Sequence, residues 1–280
     1  MTAPKRVVDR ISSTLKMYQG VLQAQKARDV SEADTVTIVK DILSGVFGYA
    51  KYAELTSEHA IRGTYCDLAV KLDGKLAFLI EVKAIGIELK DGHVKQAIDY
   101  AANQGCEWVV LTNGIEWRLY HVIFKKPIDK QEVACFCLLD CNAKNSADIE
   151  RLYLLTREGF TKSAMTEYRD KKDATSRYML AAILLRSEVI QSAIRREIRR
   201  ISDILVDPAV IDKMLRDEVI KRETIEGEYA ETAMRRVNRS ADRAAKRSVE
   251  KDDDAQPQAP AGTSGAPVLQ SDAAGVAQLR

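Results

Sequence analysis

Residues 65 to 83, YCDLAVKLDGKLAFLIEVK, constrain the chain most strongly, because two alternating apolar runs meet at an Asp-Gly pair. Successive strand side chains point to opposite faces, so Cys66, Leu68 and Val70 form one apolar row and Leu76, Phe78, Ile80 and Val82 another. If both rows share one buried face, the turn must set the parity. A two-residue loop pairing Leu72 with Lys75 would lay an apolar row beside a polar one. A three-residue loop, Leu72-Asp73-Gly74 with a bulged glycine, pairs Lys71 with Lys75 and Asp67 with Leu79, and aligns the rows. The alternation therefore predicts the longer loop. Asp67, Glu81 and Lys83 then converge on the opposite face, beside Ala69 and Ala77. Glu81 and Lys83 stand ~7 Å apart along their strand.

Two carboxylates and an amine suit phosphodiester hydrolysis. Acidic oxygens hold a hard cation such as Mg²⁺, which polarises the phosphate and lowers the pKa of a bound water. A lysine orients or helps to deprotonate that water and offsets developing negative charge. On these residues alone, Glu-x-Lys is equally at home on a solvated strand face.

The rest of the chain sets the frame. With 46% hydrophobic and 30% charged residues, the 280-residue chain reads as globular, with length for a substantial core. It has no apolar run long enough for a transmembrane span, and MTAPKRVVDR lacks the pattern of a signal peptide, so a cytoplasmic protein without membrane contact is expected. The net charge of +2 leaves any nucleic-acid contact to local patches. Five cysteines, at 66, 106, 135, 137 and 141, read as reduced thiols; 135, 137 and 141 lack a fourth metal ligand nearby.

Helical spacing predicts an amphipathic helix over 5–27. Ser31 caps a second helix that reaches Gly45 and carries Glu32 in its first turn, where helix-dipole stabilisation is a sufficient role. Strands follow at 54–61, 107–112, 116–124 and 132–140, with a helix from about 92 to 104 crossing between the third and fourth strands. That order implies a mixed α/β sheet. On the crossover helix Gln96, Tyr100 and Asn103 form a polar stripe, which alone reads as its wet side. His59, a lone histidine, reads as surface. From 145 the pattern becomes helical, with helices near 147–158, 161–169, 175–202 and 208–222. Residues 180–185 should be buried, and Arg195, Arg196, Arg199 and Arg200 make a basic end. The expected organisation is an N-terminal helix (1–30), a sheet domain (31–144), a helical region for oligomerisation or DNA contact (145–222), a basic, weakly helical segment (223–250) and a disordered tail (251–280).

Glu32, GTYCDLAV, LIEVKA, QAIDYA and LTNGIEWRLY, in that order, resemble the N-terminal nuclease domain of type I restriction enzyme R subunits, in the PD-(D/E)xK superfamily. The resemblance spans roughly 30–140. It implies a restriction-endonuclease-like mixed β-sheet flanked by helices, followed here by a mainly helical C-terminal region. By the resemblance, Asp67 and Glu81 bind the metal, Lys83 is the catalytic lysine, Gln96 and Tyr100 support the site or touch DNA, and Glu32 matches an acid on the first helix. Cys66 stands where many members have proline. No G-x-x-x-x-G-K-[ST] segment is present, so the expectation is a standalone nuclease without translocase motor or nucleotide cofactor. The implied activity is Mg²⁺-dependent (Mn²⁺ substituting) endonucleolytic cleavage of DNA in restriction–modification or defence, with a homodimer through the C-terminal helices supplying a second site. A non-cleaving nucleic-acid-binding scaffold, an RNase and a partner-activated nuclease subunit are the rival readings.

Overall fold

A computed structural model describes residues 2–61 and 64–253, with the side chains of 58–65 and 244–253 left aside. His59 and most of the expected tail, 254–280, thus lie outside what is described. The chain divides between Ser176 and Arg177 into two units.

The first unit is built on a six-stranded sheet in the order β1-β2-β3-β4-β5-β6: Leu55–Ile61, Thr64–Leu72, Lys75–Val82, Trp108–Thr112, Glu116–Ile123 and Asp129–Cys137. All neighbours are antiparallel except β3 and β4, which are joined by a crossover through α3 (Lys95–Gln104). This is the mixed α/β sheet flanked by helices that the strand order implies. Helices α1 (Lys5–Ala27) and α2 (Glu32–Gly45) pack on one face, with Ile11, Leu15, Leu22, Val39 and Ile42 against Leu68, Val70, Phe78, Ile80 and Val82. Ser31 caps α2 by accepting a hydrogen bond from the Asp34 N–H (3.2 Å). After the change of composition at 144/145, α4 (Ser146–Leu155), α5 (Arg157–Thr161) and α6 (Ala164–Ala174) join this same core through Leu152, Leu154, Leu155 and Met165.

The hairpin register differs from expectation. Its turn is Asp73-Gly74 alone, at φ 50° and 76°, and Leu72 pairs with Lys75. Two successive positive φ values match strand twist in a tight hairpin, which Asp-Gly adopts readily. The parity is corrected inside β3 instead. Lys71 pairs with Leu76 but Val70 with Phe78, so Ala77 is the extra residue of a β-bulge. Ala69 then faces Leu79 and Leu68 faces Ile80, and the apolar rows coincide as burial requires. The bulge also moves two side chains. Leu76 packs with the second core cluster and Ala77 against the first, the reverse of the expected rows. Cys66 joins the second cluster too, its thiol donating to the Ile80 carbonyl (3.1 Å).

Nor is only one sheet face buried. Ala69, Leu79, Val109 and Leu111 lie under Val94, Ala97, Ile98, Tyr100 and Ala101, from α3 and the short 3-10 turn before it. A crossover between parallel neighbours lays its helix on the sheet, which is why this face is covered as well.

The second unit is helical: α7 (Arg177–Arg186), α8 (Glu188–Ser202), α9 (Pro208–Met214), a π-turn over 215–219, α10 (Arg222–Ile225) and α11 (Glu228–Asp253). The expected helix over 175–202 breaks where Ser187 caps α8, its hydroxyl accepting from the Ile190 N–H. Ala181, Ala182 and Leu185 are buried, but Leu180 is 53% exposed, so 180–185 is not apolar-packed all round. No helix among the described residues is long and apolar enough to cross a membrane.

Arg10 ties the first unit together. Its guanidinium donates to the Val46 and Phe47 carbonyls at the end of α2 (3.1 and 3.3 Å) and grips both carboxylate oxygens of Glu158 (2.8 and 2.7 Å). Arg10→Ala should lower the unfolding free energy by about 1–3 kcal/mol, because it orphans partly buried acceptors. Arg10 holds the Glu158 carboxyl below its ordinary 4.5. That stabilisation is present above the unfolded value and lost as pH falls through the lower folded one, so the gap between the proteins should shrink below pH 4.5. Urea unfolding at pH 7 and at acid pH measures both.

Candidate active site

The site forms where β2 and β3 run out under the start of α2. The Val82 N–H donates to Asp67 Oδ2 at 2.7 Å, tying the β2 carboxylate to the β3 backbone between Glu81 and Lys83. Lys83 Nζ donates to Glu81 Oε1 at 2.7 Å and lies 3.5 Å from Glu32 Oε2. The structure therefore brings Glu32, a single acidic residue far from the hairpin in sequence, onto the same ammonium as Glu81. Glu81 is buried, Lys83 partly so, and Glu32 is open to solvent.

Backbone contacts fix this cluster. Glu81 and Val82 pair with Leu111 and Thr112 of β4, and the Lys83 N–H continues the ladder to the Thr112 carbonyl (2.8 Å). Thr112, Asn113 and Gly114 then form more than a hairpin turn. Asn113 Oδ1 accepts from the Ile115 and Glu116 N–H groups (3.1 and 2.8 Å) while its Nδ2 donates to the Ile87 carbonyl (2.9 Å), tethering the loop that leaves Lys83. Asn-Gly signals a turn in sequence, but this tether needs the fold to be seen. Gly114, at φ 83°, takes a backbone conformation that favours glycine and packs against Leu22 of α1, from which a Cβ would stand 3.2 Å, and at ordinary contact distance from Thr35 of α2 (3.7 Å). Thr35 is fully buried one turn after Glu32, which aims the start of α2 at Lys83.

The electrostatics are those of crowded acids around one cation. Burial pushes the Glu81 carboxyl above its usual range, and Asp67 and Glu32 add to the rise against the pull of Lys83. For Lys83, burial alone would depress the amine, but Glu81, Glu32 and Asp67 outweigh it and the value rises. The lysine is thus an ammonium at neutral pH. Among the described residues no group of three or more His, Cys, Asp or Glu side chains is disposed to hold a metal ion, the five free thiols included.

The expected polar stripe on α3 does not form. Gln96 and Asn103 are exposed, but Tyr100 is turned into the second cluster at 1% exposure, since it lies about 60° around the helix from the buried Ala97 and the sheet claims it. Burial raises its phenol, with Cys66 and Cys106 contributing. Tyr100 therefore lies beside Cys66, the neighbour of Asp67.

Residues 43–133 match the family model of the type I restriction enzyme R protein N terminus. This third of the chain is similar to a restriction-related nuclease segment and contains Asp67, Glu81, Lys83, Gln96, Tyr100 and the Thr112–Gly114 turn; Glu32 lies before it. No curated protein and no solved structure matches the chain.

A raised folded carboxyl contributes full stability below its unfolded value and loses it as pH rises through the folded one. Ionised Glu81 therefore destabilises the metal-free protein at neutral pH. Glu81→Gln, which keeps the shape without the charge, should melt higher than the wild type at pH 7 with EDTA present. The advantage should vanish below pH 4.5, the ordinary value of the acid. A variant that melts lower at pH 7 would contradict this account.

Proposed function

We propose that the chain is a metal-dependent endonuclease that hydrolyses DNA phosphodiester bonds in restriction or defence against foreign DNA. The observation that carries this reading is the meeting of Asp67, Glu81 and Lys83 at one strand end within a segment similar to a restriction-enzyme N terminus.

Asp67 and Glu81 would hold Mg²⁺, with Mn²⁺ as substitute. A Mg²⁺ ion needs only one or two carboxylates because it retains waters, so the lack of a three-residue cage is compatible with it. The donor set also fits on charge: a cation would relieve the repulsion that Asp67 exerts on buried Glu81. When bound, the ion would polarise the phosphate and activate water for attack. Lys83 supplies a fixed ammonium, held by Glu81 and Glu32, whose remaining protons can meet the charge developing on the phosphate. The acids around it raise its pKa in the metal-free protein, which favours donation over proton abstraction. Glu32 is a positioning residue for Lys83, and Asn113 holds the loop after it.

One such site cuts one strand at a time, so cleavage of a duplex would favour a homodimer. With Ala181, Ala182 and Leu185 covered, the exposed Val189 and Ile201 of α8 are better placed to form that contact than the start of α7.

Plasmid nicking with Mg²⁺ or Mn²⁺ tests the reading. Asp67→Ala and Glu81→Ala should abolish cutting, Lys83→Ala should slow it by about 10²–10⁴-fold, and EDTA should stop the wild type. Undiminished cutting by all three variants would refute the assignment.

A further inference from the structure

Helix α11 carries a second feature, independent of the strand-end cluster. Thr232, Arg235, Arg236, Arg239, Ser240 and Arg243 line a groove of about 570 Å³. Every one of these side chains brings a hydrogen-bond donor, four bring a permanent positive charge, and no carboxylate lines the groove.

Arginines without a carboxylate partner are concentrated in this stretch of the second unit, although Arg186 of α7 and Arg196 and Arg199 of α8 also lack one among the described residues. Arg177, Arg200, Arg216 and Arg222 each hold a carboxylate, from Glu223, Glu197, Asp212 and Glu226. Arg195 donates to the Val206 carbonyl. Arg235 reaches only the Glu231 carbonyl and the Thr232 hydroxyl, each at 3.4 Å. Arg236, Arg239 and Arg243 have no hydrogen bond or ion pair among the described residues. Positions 235, 239 and 243 recur every four residues on one face, and Arg247 continues the step in sequence.

We propose that this face of α11 binds the phosphate backbone of nucleic acid without reading its sequence. From 235 to 243 the helix advances ~12 Å, along which one strand of a duplex presents about three or four phosphates at ~3.4 Å of axis each. Four guanidiniums without a carboxylate partner among the described residues match that count. The lining holds no carboxylate, no carboxamide and no apolar wedge to read a base edge, only guanidiniums and the short Thr232 and Ser240 hydroxyls, so contacts would position rather than specify. An anionic membrane is the poorer partner. An interfacial helix needs large apolar residues opposite its charges. Here Ala230 and Ala233 are buried within the protein, and positions 238–248 contain no apolar residue larger than alanine.

The test uses the full chain in EDTA, so that no cutting intervenes. Fluorescence anisotropy with a labelled duplex of arbitrary sequence should show wild-type affinity falling by about 100-fold more between 50 and 200 mM salt than that of R235A/R236A/R239A/R243A, the loss expected for four phosphate contacts. Alanine favours helix, and circular dichroism confirms that the variant remains folded. Binding is read in EDTA and at residues outside the strand-end cluster, so failure of nicking would leave the binding result standing. Equal affinity and salt slope for wild type and quadruple variant would overturn the proposal. So would tighter wild-type binding to phosphatidylserine vesicles than to the duplex.

Discussion

One extra residue, Ala77, decides which side chains meet at the end of the central hairpin. The Asp-Gly turn imposes a pairing of Leu72 with Lys75 that, carried on unchanged, would set the apolar row of β2 against the polar row of β3. Burial of Leu68, Val70, Phe78 and Ile80 in one cluster forbids that arrangement. At ~1.5–3 kcal/mol for each large apolar side chain buried, aligning the rows outweighs the cost of one irregular ladder step. The bulge is the local solution. Its chemical outcome is that Asp67 is bonded to the β3 backbone beside Glu81 and Lys83.

That outcome creates a cluster that is not arranged for stability alone. Glu81 is buried with its pKa raised, and acids from β2 and α2 surround the same lysine. A fold could relieve this by placing a neutral residue at any of these positions. Instead, backbone contacts hold the acids in place: Val82 on Asp67, Thr112 on Lys83 and Asn113 on the loop beyond. The start of α2 adds Glu32, 3.5 Å from the Lys83 ammonium. Charge crowded by several independent elements is the pattern of a site awaiting a cationic or proton-donating partner.

Much of this was legible in the chain, and the failures share a cause. Alternation, the Ser31 cap and the crossover helix are local signals, and the elements stand close to where those signals put them. Parity was legible as well, because burial demands it, but a long loop and a bulge satisfy parity equally. Only turn strain against ladder strain decides between them, and neither leaves a sequence pattern. Tyr100 was misplaced for a similar reason. Helical spacing sorts it with Gln96, but whether a tyrosine on the boundary of a stripe turns inward depends on the space beside Cys66 and Cys106. The second face of the sheet was invisible because α3 belongs to a later segment. Glu32 was legible only as a helix-start acid, since its approach to Lys83 depends on how α2 packs on the sheet.

One stretch of the second unit handles charge unlike most of the protein, and the contrast separates retained charge from incidental charge. In the first unit, Arg10, Arg157 and Lys83 are each engaged by carboxylates, so positive charge is neutralised inside the protein. Most arginines of the second unit for which contacts exist follow the same rule, at spacings of three or four residues that helices favour. Along 235–243 a single aspartate, Asp242, accompanies four arginines, and no ion pair links it to them among the described residues. Like charges at i and i+4 weaken a helix by a few tenths of a kcal/mol per pair. A stripe that accepts this penalty without internal partners has its countercharge in solution, and a polyanion concentrates that countercharge better than scattered ions because binding releases them.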